Sequence, residues 1–319
     1  MITTMSREAF DRAAHFMRHE ARPLEWALFE HHFLDGSRTQ VLAALVPYQN
    51  ADGGFGNALE PDMRAAASTV LATTNALAIL RQVGASEETS GLPAALAYLV
   101  DTYDVEKERW PIISPGVEDA PHAPWWDYAA SEQNFGGFWA NPRAAVVGYL
   151  WQYRKLVPSP FVEEALRATT ADLMAYAQHM EMHDLMCFVD LLETVGLPDE
   201  TRQDMVDKLR RAVARSVVAD PAGWDDYNLK PLTVVRSPAS PLVPAIDPAA
   251  MGANFDYLLR QQGEDGAWRP NWSWDFVDAA AWADAEREWK GVLTLRNLMT
   301  LRAFGRIEGV GSRRSVVKS

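Results

Sequence analysis

The sequence predicts an all-α fold, a single α/α toroid of about six helical hairpins. Three observations predict it: helical patterns fill most of the 319 residues, no segment has the pattern of a strand, and a Gln-to-aromatic motif recurs at a regular spacing. Apolar residues make up 48% of the chain, which is enough to bury a large core. We therefore expect one toroid domain over residues 1–308 and a disordered tail over residues 309–319.

Nine segments carry the helical pattern, in which Ala, Leu, Met, Glu and Arg are common and apolar residues recur three to four positions apart. Pro93 and Pro142 suit a first helical turn, where the missing N–H of proline is not needed. Gly84, Gly196 and Gly305 stand where glycine commonly ends a helix. The expected helices cover residues 7–32, 68–83, 93–103, 143–156, 161–180, 184–195, 199–218, 249–262 and 283–304.

A short motif occurs three times, with glutamine six residues before an aromatic residue and glycine between them. It reads QNADGGF from Gln49, QNFGGFW from Gln133 and QGEDGAW from Gln262. The glutamines are separated by 84 and 129 residues, which are 2 × 42 and 3 × 43. A glutamine amide can satisfy unpaired backbone groups at a helix end, and glycine permits a tight reversal. Because about forty residues form one helical hairpin, the period predicts hairpins that stack and close on themselves.

Charge and cysteine content exclude several classes of protein. The formal net charge of −13 opposes nucleic-acid binding, which requires a basic face. A single cysteine, Cys187, allows no intramolecular disulfide and no zinc site built mainly from thiolates. The sequence has neither a secretory signal pattern nor an apolar run of about 18 residues, so we expect a cytoplasmic protein without an integral membrane segment.

The three glutamine motifs resemble the QW motifs of squalene-hopene cyclases, oxidosqualene cyclases and the β subunits of protein prenyltransferases. More narrowly, ARPLEWALFEHHF, YQNADGGFGNALEPD, HAPWW and REWKG are similar to segments of bacterial prenyltransferase/squalene-oxidase repeat proteins. The resemblance covers nearly the whole chain in its period, with identity confined to residues 49–56, 133–139 and 262–268. It implies a terpenoid cyclase-like or prenyltransferase-like enzyme that acts on an isoprenoid or other bulky apolar substrate in a central, aromatic-lined cavity.

Two departures limit what the resemblance implies about mechanism. Cyclases that start by protonation carry an Asp-x-Asp-Asp motif, whereas the closest feature here is the pair Asp225 and Asp226. Protein prenyltransferases bind zinc with an aspartate two residues before a cysteine, but Leu185 occupies that position before Cys187. We expect no metal site and no cofactor, except for Mg²⁺ if the substrate is a diphosphate.

Four carboxylic acids are the candidate catalytic residues. Glu60 and Asp62 follow the first motif and would lie at the mouth of the cavity, where aromatic neighbours favour a protonated acid that can act as a proton donor. Helix capping by Asp62 is the alternative, because it would stand beside the positive end of a helix. Asp225 and Asp226 are adjacent and repel each other, so they could supply a proton or attract a divalent cation.

Tryptophans beside proline, asparagine or aspartate are the candidate walls of the cavity. Trp125 and Trp126 are adjacent and near prolines, so we expect at least one ring to face a groove or the cavity; a hydrophobic plug is the alternative. Aromatic faces can stabilise carbocations and can stack on sugar rings. The expected substrate-binding residues are His122, Trp125, Trp126, Asp127, Trp224, Lys230, Trp272, Trp274 and Asp275.

The leading hypothesis is acid-initiated cyclisation or isomerisation of an isoprenoid, and two alternatives stay open. Carbohydrate-active enzymes also use α/α barrels, with carboxylates and tryptophans lining a cleft. A non-catalytic toroid could instead hold a ligand or a peptide in its cup. Two carboxyl groups across a polar cleft would favour the first alternative, and binding without turnover would favour the second.

Overall fold

The computed structural model describes residues 3–177 and 179–311 of the chain. Throughout these residues the regular structure is helical, and β-pairing is limited to isolated bridges. The all-α prediction is therefore confirmed. No helix in this part of the chain combines the length and the apolar character that crossing a bilayer would require. Residues 312–319 of the predicted tail lie outside the described residues, and the prediction of one domain over residues 1–308 stays a prediction.

The helices agree closely with the nine predicted segments. The first predicted segment is divided in two, because Pro23 starts a new helix and its ring cannot continue the preceding one. The short α3, α6 and α11 were not predicted. The helices of the described residues are α1 (Arg7–His19), α2 (Pro23–Phe33), α3 (Arg38–Leu45), α4 (Val70–Gln82), α5 (Leu92–Asp101), α6 (Ser131–Phe135), α7 (Arg143–Gln152), α8 (Ser159–Ala175), α9 (Met182–Leu192), α10 (Asp199–Ser216), α11 (Pro231–Val234), α12 (Pro248–Arg260) and α13 (Ala279–Ala303).

Two compact units make up the fold. Unit 1 contains Met1–Val41, Val217–Ser273 and Asp284–Ser319, and unit 2 contains Leu42–Ser216 and Trp274–Ala283. In unit 1, α1 packs against α2, and α11 packs against α12. In unit 2, α7 packs against α4, α8 and α9, and seven successive residues of α7 are buried. This continuous burial explains why α7 is apolar on all sides rather than amphipathic.

The first glutamine motif forms a tight turn in unit 2. The side-chain amide of Gln49 donates hydrogen bonds to the backbone oxygens of Gly53 and Gly91, both at 2.9 Å. Gly53 has φ +88, and a Cβ atom there would lie 2.4 Å from the backbone oxygen of Ala94. Glycine is therefore required at this position by both its backbone conformation and the approach of α5.

The third motif forms the same turn in unit 1. Gln262 donates to the backbone oxygens of Gly266 at 2.9 Å and Ala9 at 3.0 Å. Gly266 also has φ +88, and its Cβ would lie 2.4 Å from the backbone of Arg12. Arg12 follows Ala9 by three residues, as Ala94 follows Gly91. Helix α1 therefore has the same relationship to the third turn that α5 has to the first.

The second motif does not form this turn. Gln133 lies exposed in α6, and Gly137, the equivalent of Gly53, is outside the left-handed backbone region. The chain is held instead by Asp184 at the start of α9. Its carboxylate accepts backbone N–H bonds from Trp139 at 3.0 Å and from Ala140 and Asn141 at 2.8 Å each.

Several hydrogen bonds of unit 2 connect residues about one predicted repeat apart. The bond from Gln49 to Gly91 spans 42 residues, that from Asn141 to Asp184 spans 43, and that from Trp151 to Gly196 spans 45. Such a recurring separation is typical of stacked helical hairpins, in which each unit contacts the next.

Candidate functional site

The candidate site lies in unit 2, on the loop that follows the first glutamine turn. Asn57 and Ala58 take left-handed backbone conformations, with φ of +55 and +59, and bend the chain after the turn. The loop then pairs with the segment before Trp125: Ala123 N–H donates to the Asp62 backbone oxygen at 2.9 Å. The pairing also forms a bridge between Met63 and His122. Two of the predicted clusters are therefore neighbours in space.

Glu60 and Asp62 are both buried, with 7% and 2% of their surfaces exposed. Asn75 of α4 donates to Glu60 Oε2 at 3.1 Å. The indole Nε1 of Trp274, a residue 212 positions further along the chain, donates to Asp62 Oδ1 at 2.7 Å. Trp274 is itself fully buried and packs edge to face with Trp282 at 5.8 Å. The Asp62 carboxyl is therefore held in one orientation by a rigid aromatic donor.

The capping alternative for Asp62 is wrong. Residues 60–64 contain a bend, a turn and an isolated bridge but no helix, and α4 begins at Val70. Thr69 caps α4 instead, since its side-chain oxygen accepts from Ala72 N–H at 3.0 Å. Asp62 is thus a buried carboxyl outside the first turn of α4, and burying such a group is costly unless donors compensate it.

A row of half-buried rings extends from this loop. Neighbouring rings of this row are tilted against each other. Their centroids are 5.5 Å apart for Trp126 and Phe135, 6.0 Å for Phe135 and Phe138, and 5.7 Å for Phe138 and His183. We call Trp126, Phe135 and Phe138 the aromatic row. The aromatic row packs against a buried apolar cluster. This cluster consists of Met63, Ile112, Ile113 and Val117. Phe135 and Phe138 were not predicted as site residues, although both lie within the second glutamine motif.

The other residues of HAPWWD have mainly local contacts. His122 Nδ1 lies 2.9 Å from the Ala120 backbone oxygen, and its Nε2 lies 4.0 Å from Glu118. Asp127 accepts from Ala130 N–H at 3.2 Å. Trp125 is half-buried, and the enclosed indole N–H of Trp126 has no hydrogen-bond partner among the described residues. Of the two adjacent tryptophans, Trp126 is the one whose ring contacts Phe135 and belongs to the aromatic row.

A histidine and a glutamate lie at the far end of the row. His183 Nδ1 is 2.8 Å from Glu181 Oε1, and the backbone N–H groups of His183 and Asp184 donate to the other oxygen. Burial raises the pKa of Glu181, but the bonds from His183 and the two N–H groups outweigh it, so this pKa lies below its usual value. Glu181 was not among the predicted site residues.

The predicted residues of the segment GWDDYNLK, residues 223–230, lie in unit 1. Trp224 is fully buried, and its indole N–H donates to the Val218 backbone oxygen at 2.7 Å. Asp225 and Asp226 are exposed, unlike Glu60 and Asp62. Lys230 donates to the Asp226 backbone oxygen at 3.0 Å, and burial lowers its pKa despite the two nearby carboxylates.

Trp272 also belongs to unit 1, whereas Trp274 and Asp275 belong to unit 2. Trp272 contacts Tyr227 and Trp289 edge to face, and Asp275 is exposed. The predicted residues therefore form two groups, one around the buried acids of unit 2 and one around the exposed acids of unit 1.

A small cavity adjoins Glu60. Its walls include Glu60, Met63 and several small side chains, and the space within it that is open to a water-sized sphere is about 10 Å³. About that much space is needed to hold one water molecule. The cavity is therefore too small for a bulky substrate.

Comparison with protein-family models, with curated proteins and with solved structures found no match for this chain. The resemblance to the cyclases and repeat proteins thus depends on the sequence motifs alone.

Proposed function

We propose that the chain is an α/α toroid of the terpenoid-cyclase type and that Asp62 donates a proton to an isoprenoid or other bulky apolar substrate. The observation that carries this proposal is the buried carboxyl of Asp62, which Trp274 orients. The next residue, Met63, belongs to the apolar cluster against which the aromatic row packs. Glu60 is its buried neighbour on the same loop and the second candidate acid.

The equivalence of the two glutamine turns supports the toroid. Gln49 binds the backbone at the start of α5, one repeat later in the chain. Gln262, in the last motif, binds α1 at the beginning of the chain. In a closed repeat, the last hairpin must contact the first hairpin in the same way as each hairpin contacts the next. The bond from Gln262 to α1 is such a contact.

The proposed chemistry begins with a neutral Asp62 side chain. Its O–H bond breaks as the π electrons of an alkene form a new C–H bond, which leaves a carboxylate and a carbocation. The Trp274 N–H stabilises the carboxylate that forms, because a hydrogen bond to a charged acceptor is stronger than one to a neutral acceptor. The faces of Trp126, Phe135 and Phe138 offer negative ring density to the cation. The Asp62 carboxylate then takes a proton from a neighbouring carbon, the electrons of that C–H bond form the new double bond, and a neutral isomer and a neutral Asp62 result.

The test is incubation of the purified protein with squalene and with shorter polyprenyl alcohols in D₂O, followed by mass spectrometry of the extracted hydrocarbons. We expect an isomer that carries one deuterium. Asp62→Asn should abolish it, while Trp274→Phe, which keeps an aromatic ring and removes the N–H, should reduce the rate by about 10–100-fold, the value of one hydrogen bond to a charged group. Asp204→Asn is the matched control because Asp204 is an exposed aspartate of unit 2 that is not among the predicted site residues.

Circular dichroism spectra should be the same for all four proteins. Full activity of a folded Asp62→Asn variant would rule out Asp62 as the proton donor. Product without deuterium would rule out protonation as the first step.

A second candidate function is binding of an apolar ligand without turnover, and the half-buried aromatic row favours it. Binding of a polyprenyl alcohol that is weakened by Trp126→Ala, with no product from any substrate tested, would support this function over catalysis.

A further inference from the structure

Two histidines lie one helical turn apart on α1. His15 and His19 are four positions apart, and residues at this spacing share one face of a helix. The centroids of their imidazole rings are 4.4 Å apart, and the ring planes make an angle of 44°. Both residues are exposed. They lie on the side of α1 that faces away from its buried residues, which are Phe10, Ala13, Phe16 and Met17.

The backbone that carries the two histidines is held at both ends of the helix. The Ser6 hydroxyl accepts the Ala9 N–H at 3.2 Å, and the Gln262 amide donates to the Ala9 backbone oxygen at 3.0 Å. At the other end, the Glu20 N–H donates to the Phe16 backbone oxygen at 2.9 Å, so the helix stays regular through His19. A ligand that contacts both rings would therefore order few further groups.

The surroundings leave both imidazoles available. Neither ring forms a hydrogen bond or an ion pair within the part of the chain that the structure describes. On the buried side of the helix, Lys290 lies over the Phe16 ring and is paired with Asp265. Three basic and three acidic residues belong to α1 and its C-cap, so their formal charges cancel and coordination depends on the imidazoles. These six residues are Arg7, Glu8, Asp11, Arg12, Arg18 and Glu20.

The spacing of the rings fits one kind of metal geometry. A metal–nitrogen bond of about 2.1 Å and a ring radius of about 1.1 Å place each ring centroid about 3.2 Å from a bound metal. Two such centroids are about 4.5 Å apart when the bonds meet at about 90°, and about 5.2 Å apart at the tetrahedral angle. The observed 4.4 Å matches the right angle of tetragonal Cu²⁺ and Ni²⁺ rather than the tetrahedral angle of Zn²⁺.

We propose that His15 and His19 bind a divalent transition metal through one ring nitrogen each, and that Cu²⁺ is preferred. Imidazole suits Cu²⁺, Ni²⁺ and Zn²⁺, and Cu²⁺ forms the most stable complexes of the divalent metals of the first transition series. In residues 3–177 and 179–311, no group of three or more His, Cys, Asp or Glu side chains could hold a metal ion, so water completes the coordination.

This site departs from the sequence prediction of no metal site. It lies in unit 1, whereas Asp62 lies in unit 2, so it does not depend on the proposed function.

A second pair of histidines has the same spacing in the sequence but not in the structure. His179 lies before the start of α9 at Met182, so no helical turn joins it to His183. His183 Nδ1 also lies 2.8 Å from Glu181 Oε1. His179→Gln is therefore the matched control for the helical pair.

The test is titration of the full chain with Cu²⁺, and separately with Zn²⁺, by isothermal titration calorimetry with glycine as a competing ligand. We expect one tight Cu²⁺ site per chain, with Zn²⁺ bound at least about tenfold more weakly. His15→Gln and His19→Gln should each weaken this site at least about tenfold, because two linked ligands act at a high effective concentration. His179→Gln should bind Cu²⁺ like the parent. Electron spin echo spectroscopy should detect two imidazoles on the Cu²⁺ bound to the parent.

Both histidines are exposed, so circular dichroism should show the helix content of the parent in each variant. The proposal is overturned if Cu²⁺ does not bind at about 100 µM, if a folded His15→Gln or His19→Gln variant binds it like the parent, or if the spectrum shows a single imidazole. It is also overturned if His179→Gln is the variant that loses the site, because the metal would then bind in unit 2. Tighter binding of Zn²⁺ than of Cu²⁺ would contradict the right-angle geometry.

Discussion

The side-chain amide of Gln262 donates a hydrogen bond to the backbone oxygen of Ala9, 253 residues earlier in the chain. Gln49 makes the same bond to Gly91, only 42 residues later. The two bonds have equivalent geometry because each glutamine also binds the glycine four positions after it. Within unit 1, the third glutamine turn and helix α1 are therefore joined by the repeat contact itself.

We expect Gln262→Ala and Gln49→Ala each to lower the free energy of unfolding by about 1–3 kcal/mol, because two backbone oxygens lose their donor. Urea denaturation followed by circular dichroism measures the change. Gln133→Ala is the matched control: Gln133 belongs to the same motif but is exposed, so its change should stay within about 0.5 kcal/mol. If all three variants lost the same free energy of unfolding, the conclusion that Gln133 does not hold a turn as Gln49 and Gln262 do would be wrong.

Alanine should be poorly tolerated at the two turn glycines. Gly53→Ala and Gly266→Ala place a Cβ atom 2.4 Å from a neighbouring backbone and retain φ near +88. We expect each to lower the melting temperature, with a loss of more than about 1 kcal/mol. Gly137→Ala should be nearly neutral, since no atom lies within 4 Å of the added Cβ. A stable Gly266→Ala variant would show that the turn can rearrange.

Asp184 should be among the most sensitive carboxylates of unit 2. Its fully buried side chain accepts three backbone N–H bonds and a bond from the Tyr176 hydroxyl. Asp184→Ala leaves these donors unsatisfied, so we expect a loss of about 3 kcal/mol or more in urea denaturation. Asp204→Asn, at an exposed position of α10, should change stability by less than about 0.5 kcal/mol. A small effect of Asp184→Ala would mean that water replaces the carboxylate.

Glu181 should make unfolding depend on pH in the acid range. Its pKa is lowered in the folded chain, so the unfolded chain binds its proton more readily as the pH falls. The stabilisation is therefore complete above the ordinary glutamate pKa and is lost as the pH falls through the lowered folded value. We expect Glu181→Gln to lower stability at pH 7 and to flatten the decrease below about pH 4. Parallel curves for variant and parent would contradict this role.

Much of the helical framework could be predicted from the sequence because its signals are local. Apolar spacing, Pro93 in the first turn of α5, and glycines such as Gly84 after the last helical turn act over a few residues. The glutamine and glycine of the turns at Gln49 and Gln262 are also visible in the sequence, although each glutamine binds a second backbone oxygen outside its motif.

Only the tertiary structure decided how distant groups combine. The sequence motif at Gln133 matches the other two, but packing brings Asp184 to this segment, and its carboxylate holds the backbone instead. The bond from Trp274 to Asp62 spans 212 residues, and no local pattern indicates it. Local propensity determines where helices begin and end, whereas partners of buried polar groups depend on which surfaces pack together, a property of the whole folded chain.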